Sequence, residues 1–191
     1  MKPAFFANCE LRGGDLAPPG SEGVEALARF VRVVHSFLTI YPGKVALDLP
    51  GANLAGPASA AREHRVGRII RTFAQDRSDL ESLLSQVELD PVGELMMIGR
   101  IRPVAADFEG PWVTLHRYRV APRSQTRNRE RDLAMAEKIK PGFLAMRSHS
   151  NGHRFSLSIT RHRYAVSGRE GVPTSYGLSR KETPVYLPDI P

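Results

Sequence analysis

Val24, Leu27, Val31, Val34 and Leu38 recur at spacings of three and four, which places them on one stripe of an α-helix. Such a stripe must be covered to be stable, and its sequence neighbours limit what can cover it. Residues 2–11 read as a strand, ended by Gly13-Gly14 and Pro18-Pro19-Gly20. Ser21 is placed to cap the helix and Pro42-Gly43 to stop it. Residues 44–49 alternate as a short strand, 50–61 form a Gly/Pro/Ala loop, and 66–73 are a further strand. Ser78 with Glu81 is a capping-box signature ahead of a helix through Gln86, and residues 95–101 return as a strand before Pro103. The order strand, helix, strand, strand, helix, strand is the ferredoxin-like plan, also used by RNA-recognition domains.

Residues 105–111 read as a linker, so the expected organisation is a ferredoxin-like domain over 1–105 and a second α+β domain over 106–191. The second begins with an extended segment at 112–120. Pro122 with Ser124 or Thr126 starts a helix that Pro141-Gly142 ends. At about 100° per residue, Arg123, Arg127, Arg131 and Lys138 fall within roughly an 80° sector. Leu133, Ala136 and Ile139 lie on another side, available for packing. Residues 143–148, 154–161, 164–167 and 174–179 read as short strands around turns.

Charge separates the two halves. Residues 1–95 carry 10 basic and 12 acidic side chains, whereas residues 96–191 carry 17 and 8. Between Pro111 and Arg163 alone there are 12 basic and 3 acidic residues, and 22 of the chain's 27 basic residues are Arg. The guanidinium fork matches phosphate oxygens, so an Arg-biased, one-sided excess points to nucleic acid. Arg117, Arg119, Arg123, Arg127 and Arg131 exceed what Glu130, Asp132 and Glu137 can neutralise. Phosphate contact is therefore favoured over a solvated, internally paired helix face as the reading of that sector.

Several classes drop out. The chain has no run of about 18 apolar residues, so no membrane span is expected, and its N-terminal apolar stretch is too short for a signal peptide. Cys9 is the only cysteine, which removes intrachain disulfides, multi-thiolate zinc and iron–sulfur clusters; a reducing cytoplasm is the simplest compartment. There is no Walker loop, dinucleotide-binding glycine fingerprint or nucleophile elbow. His149, His153 and His162 lack a fourth metal ligand and read as polar loop residues, so no metal or cofactor is expected.

His35, set among Val31, Val33, Val34 and Leu38, reads on its own as a half-buried helix histidine. A second element bears on it: Arg147-Ser148-x-Ser150-x-Gly152 with Phe155, followed by Ser175-Tyr176-Gly177-Leu178-Ser179. These residues resemble the CRISPR-associated precursor-RNA processing endoribonucleases of type I-F systems, the Csy-type members of the Cas-six family. The likeness is specific over 143–180, looser over the first helix, where Val34-His35-Ser36 falls at the family's histidine, and limited to the order of elements over 50–110.

The resemblance implies an Arg-rich helix in the major groove of a CRISPR repeat RNA stem-loop, with cleavage at the 3′ base of the stem and no metal. It implies His35 as general base, Ser148 holding the ribose 2′-hydroxyl, Ser150 as a helper, and Tyr176 orienting the imidazole through its hydroxyl. Turn chemistry for the serines and strand packing for Tyr176 are the structural alternatives. Phe155 would stack on the terminal base pair or belong to the core. Arg119 would read a guanine, while Ala121 stands where the family usually has Gln, with Gln125 nearby. The implied partners are the repeat hairpin and other subunits of a type I-F effector complex, in defence or in a transposon-associated targeting complex. A non-catalytic RNA-hairpin-binding subunit and a DNA-binding protein are the alternatives.

Overall fold

A computed structural model describes residues 1–13, 22–52, 66–139, 141–148 and 152–191. Strand β1 (Phe5–Leu11) leads to helix α1 (Glu22–Ile40), strands β2 (Val45–Asp48) and β3 (Ile69–Ala74), helix α2 (Arg77–Leu89), the short helix α3 (Val92–Leu95) and strand β4 (Met96–Ile98). The strands form an antiparallel sheet in the order β2-β3-β1-β4, the arrangement expected of a ferredoxin-like unit. The strand expected over 95–101 is broken at Gly99. A side chain there would meet the Asn8 carbonyl at 2.8 Å, and the Gly99 amide donates to that carbonyl instead. The chain rejoins β1 as β5 (Arg102–Pro103).

The capping box at Ser78 and Glu81 does not form. Helix α2 begins one residue before Ser78, after Asp76 at the N-cap. Glu81 instead accepts a 2.8 Å hydrogen bond from Arg77 one turn earlier. The expected Ser21 cap and most of the 50–61 loop lie outside the described residues.

The second half builds an antiparallel sheet from β6 (Trp112–Tyr118), β7 (Gly142–Arg147), β8 (Arg154–Tyr164) and β9 (Leu187–Pro188), in the order β7-β8-β6-β9. Helix α4 (Thr126–Ile139) crosses between β6 and β7 in sequence. Two short strands expected here are absent. Residues 164–167 are not a separate strand, because β8 runs on to Tyr164 while pairing with β6 to its end. Residues 174–179 form a turn. Thr174 and Leu178 close it through a 2.8 Å backbone hydrogen bond, and the Thr174 hydroxyl accepts from the amides of Tyr176 and Leu178.

One core joins the halves. Leu27, Phe30, Val34 and Phe37 of α1 are buried together with Leu80 and Leu83 of α2 and with Leu115, Leu144, Leu157 and Ile159 of the second sheet. The buried face of α1 is consequently wider than the five-residue stripe, since Ala26, Ala28, Phe30 and Phe37 are buried too. The halves are also clamped by charge. Asp48 at the end of β2 is fully buried and accepts a fork from Arg161 of β8, at 2.8 and 3.1 Å. The same guanidinium donates to Asp189 at 2.5 Å, and Arg163 pairs with the other Asp189 oxygen at 2.8 Å.

Candidate functional site

The turn at 174–178 sits where the sheets meet. The Leu47 amide of β2 donates to the Gly177 carbonyl at 2.8 Å, and the Ser179 amide donates to the Leu115 carbonyl of β6 at 2.7 Å. Gly177 has φ +71° and packs so tightly on β2 that a Cβ would lie 2.8 Å from Leu47 Cγ. Only glycine combines that backbone with that contact. The turn thereby sets Ser175 and Tyr176 over the C-terminal part of α1, where His35 is half-buried.

His35 Nδ1 lies 2.8 Å from the Ser175 carbonyl oxygen. A carbonyl only accepts, so Nδ1 carries the hydrogen, and the neutral ring keeps its lone pair on Nε2. The imidazole lies flat on the Tyr176 ring, with centroids 4.2 Å apart and planes 2° from parallel. The expected hydroxyl contact is thus replaced by a ring stack: the phenol oxygen lies in the plane of its own ring, and a backbone carbonyl orients the imidazole.

Arg117 of β6 continues the group. Its Cζ is 6.0 Å from the Tyr176 ring centre and 5.7 Å from that of Phe155 on β8, within reach of cation–π attraction. Burial, and then the charge of Arg119, lower the Arg117 pKa from its ordinary value. Phe155 and Tyr176 are both half-buried against the core. Ser148 stands at the end of β7, one register pair beyond Arg147 and Arg154. Its amide donates to the His153 carbonyl at 2.8 Å and its carbonyl accepts from Gly152 at 3.0 Å. Ser150 and His149 lie outside the described residues. His162 faces His116, with ring centres 5.6 Å apart.

The arginine surface is separate from this group. Arg119 is exposed beyond β6, Arg123 is exposed in the turn before α4, and Arg127 and Arg131 are exposed on the helix. The sector therefore loses Arg123 as a helical member, because a turn from Pro122 to Gln125 precedes the helix. No described residue of α4 is buried; Leu133 is 45% and Met135 47% exposed, so the packing side expected of Leu133 is not formed. The helix is held by polar ties instead. Asp132 accepts from the Ala121 amide at 3.0 Å, Arg129 donates to the Ala121 carbonyl at 3.1 Å, and the Tyr118 hydroxyl donates to the Asp132 carbonyl. Asp132 also approaches Arg131 at 3.4 Å. Gln125 accepts from Asn128 at 3.2 Å.

Sequence reasoning missed the Ser175 carbonyl and the bracing role of Gly177. The Thr-Ser-x-Gly composition of that segment was the available signal, since it favours a turn over a strand.

A family model described as CRISPR-associated protein (Cas_Csy4) matches residues 25–186. Comparison with curated proteins finds no match. Among solved structures, the chain is similar to an RAMP protein binding different RNA substrates, at 12% identity and a TM-score of 0.41, over 97% of this chain and 99% of that one. It is more distantly similar to a mutant chlorite dismutase from Candidatus Nitrospira defluvii, at 12% identity and a TM-score of 0.28, over 86% and 78% of the two chains. At such scores neither neighbour bears on function.

Proposed function

Because the chain belongs to the Cas_Csy4 family of CRISPR-associated proteins, we propose that it is an endoribonuclease that cuts CRISPR repeat RNA at the 3′ base of a stem-loop, without a metal, and keeps the cleaved hairpin. The observation that carries this reading is the His35 imidazole, bonded through Nδ1 to the Ser175 carbonyl and stacked on Tyr176, with Nε2 as its acceptor. Nε2 takes the proton of a ribose 2′-hydroxyl, whose oxygen then attacks the adjacent phosphorus. The bond from phosphorus to the 5′-oxygen of the next nucleotide breaks, and that oxygen takes a proton from water. The products are a 2′,3′-cyclic phosphate and a 5′-hydroxyl. Proton transfer of this kind contributes about 10²–10⁴-fold.

Ser148 and Ser150 hold the 2′-hydroxyl in line, Tyr176 fixes the plane of the imidazole, and Phe155 stacks on the last base pair. Arg117 balances charge on the phosphate, while Arg119, Arg123, Arg127 and Arg131 grip the stem. The exposure of Arg119, Arg123, Arg127 and Arg131 supports this last role, because their guanidinium groups lie in solvent where phosphates can reach them. The protein would work beside other subunits of a type I-F effector complex.

Incubation with a type I-F repeat hairpin RNA in EDTA tests the reading. Cleavage to a cyclic-phosphate product is expected, with a loss of about 10²-fold or more in His35→Ala. Full activity in His35→Ala, or loss of cleavage in EDTA, overturns the mechanism. Tight binding with no product from any hairpin would instead identify a hairpin-binding subunit.

A further inference from the structure

Phe155 also lines a cleft of about 550 Å³ between α1 and the β7–β8 hairpin, together with Glu25, Ala28, Arg32, Arg147 and Arg154. Clefts that hold ligands run from about 300 to 1,000 Å³, and this one suits nucleotides of a single strand rather than a duplex. Ala28, Arg32 and His35 follow one another at spacings of four and three, so they share one face of α1. Phe155 connects the two places, since it lines the cleft and its ring centre is 5.7 Å from Arg117 Cζ.

The charges in the cleft call for an anion. Arg147 and Arg154 are directly opposite each other in the β7–β8 register, a pairing of like charges that is unfavourable unless something negative lies between them. Arg32 adds a third guanidinium from the facing helix. Among the described residues none of the three forms an ion pair. Arg147 is held in place by donating through Nε to the Gly152 carbonyl at 3.1 Å, which leaves its terminal nitrogens to a ligand. Glu25 is the one carboxylate in the lining.

We infer that this cleft binds the single-stranded RNA on the 3′ side of the scissile phosphate, through backbone phosphate contacts from Arg32, Arg147 and Arg154, with Phe155 as a stacking surface at its end. The inference rests on the endoribonuclease reading above, but its test does not require cleavage. Two type I-F repeat hairpins are compared, one ending at the scissile position and one continued by several 3′ nucleotides, with a 2′-deoxy ribose at the attacking position.

Each phosphate contact on a single strand contributes about 0.7 to the slope of log affinity against log salt. The extension should therefore steepen the slope by about 2, and its gain in affinity should shrink roughly 20-fold between 50 and 200 mM salt. Arg32→Ala and Arg154→Ala should each remove about 0.7 of that increment and leave binding of the shorter hairpin unchanged. Glu25→Gln should raise the gain. An extension that adds no slope overturns the inference, as do arginine variants that weaken both RNAs equally. Neither outcome touches the cleavage reading, which fails separately if His35→Ala cleaves normally.

Discussion

Replacing Tyr176 separates a ring stack from a hydroxyl as the device that orients the imidazole. The stack, at 4.2 Å and 2°, is worth about 0.5–1.5 kcal/mol beyond its buried area. The same ring lies 6.0 Å from Arg117 Cζ, and losing that cation–π contact costs about 0.5–1 kcal/mol. Tyr176→Ala removes both but leaves the backbone carbonyl of Ser175 on His35 Nδ1. If the loss, about 1–2.5 kcal/mol in all, falls on the transition state, single-turnover cleavage slows about 5- to 70-fold. Tyr176→Phe keeps both ring faces and should stay within about threefold of the unmodified protein. The assay is single-turnover cleavage of a repeat hairpin at saturating protein, with thermal melts to verify that both variants fold. A Phe variant as slow as the Ala variant would refute the reasoning, since the hydroxyl and not the ring would then orient His35.

Asp48→Ala removes the carboxylate that takes both arms of the Arg161 fork, at a site where Asp48 is 0% exposed. A loss of about 3–5 kcal/mol is expected, lowering the melting temperature by roughly 6–20 °C; a change under about 2 °C would show that the clamp does not hold the halves. Gly177→Ala sets a Cβ against Leu47 at a φ of +71°, so it should cost about 1–2 kcal/mol in thermal or denaturant unfolding and slow cleavage by moving Ser175 and Tyr176. Stability equal to the unmodified protein would count against the bracing. Burial and the facing His162 ring hold the His116 pKa below its ordinary value, with the Ser179 backbone opposing. The unfolded chain therefore takes up this proton first. The His116 contribution is intact above about pH 6.5 and is lost as pH falls from there through the folded-state value. Melting temperatures measured from pH 7.5 to 5 should fall less steeply in His116→Gln, and parallel curves would count against the assignment.

The first half was legible because its signals are local. The spacing of Val24, Leu27, Val31, Val34 and Leu38 produces the helix whatever surrounds it, and the order of elements leads to the β2-β3-β1-β4 sheet. His35 and Tyr176, singled out together only through the resemblance, stand 141 positions apart and meet in the fold. Their relation was not legible. The stack, and the hydrogen bond that assigns the proton to Nδ1, depend on a turn braced by Leu47 of one sheet and Leu115 of the other, and no local pattern encodes contacts at that separation. The same holds for α4. Its helical period is local, but whether Leu133 packs or stands exposed is decided by what lies opposite, and the ties through Ala121 and Tyr118 leave it in solvent.

Residue type and spacing alone determined a one-sided arginine excess and an amphipathic helix carrying a histidine. Only the tertiary structure decided which nitrogen of that histidine is free to accept, and which arginines face one another across a cleft. Burial, opposing charge and ring geometry act between elements that the chain brings together from opposite ends.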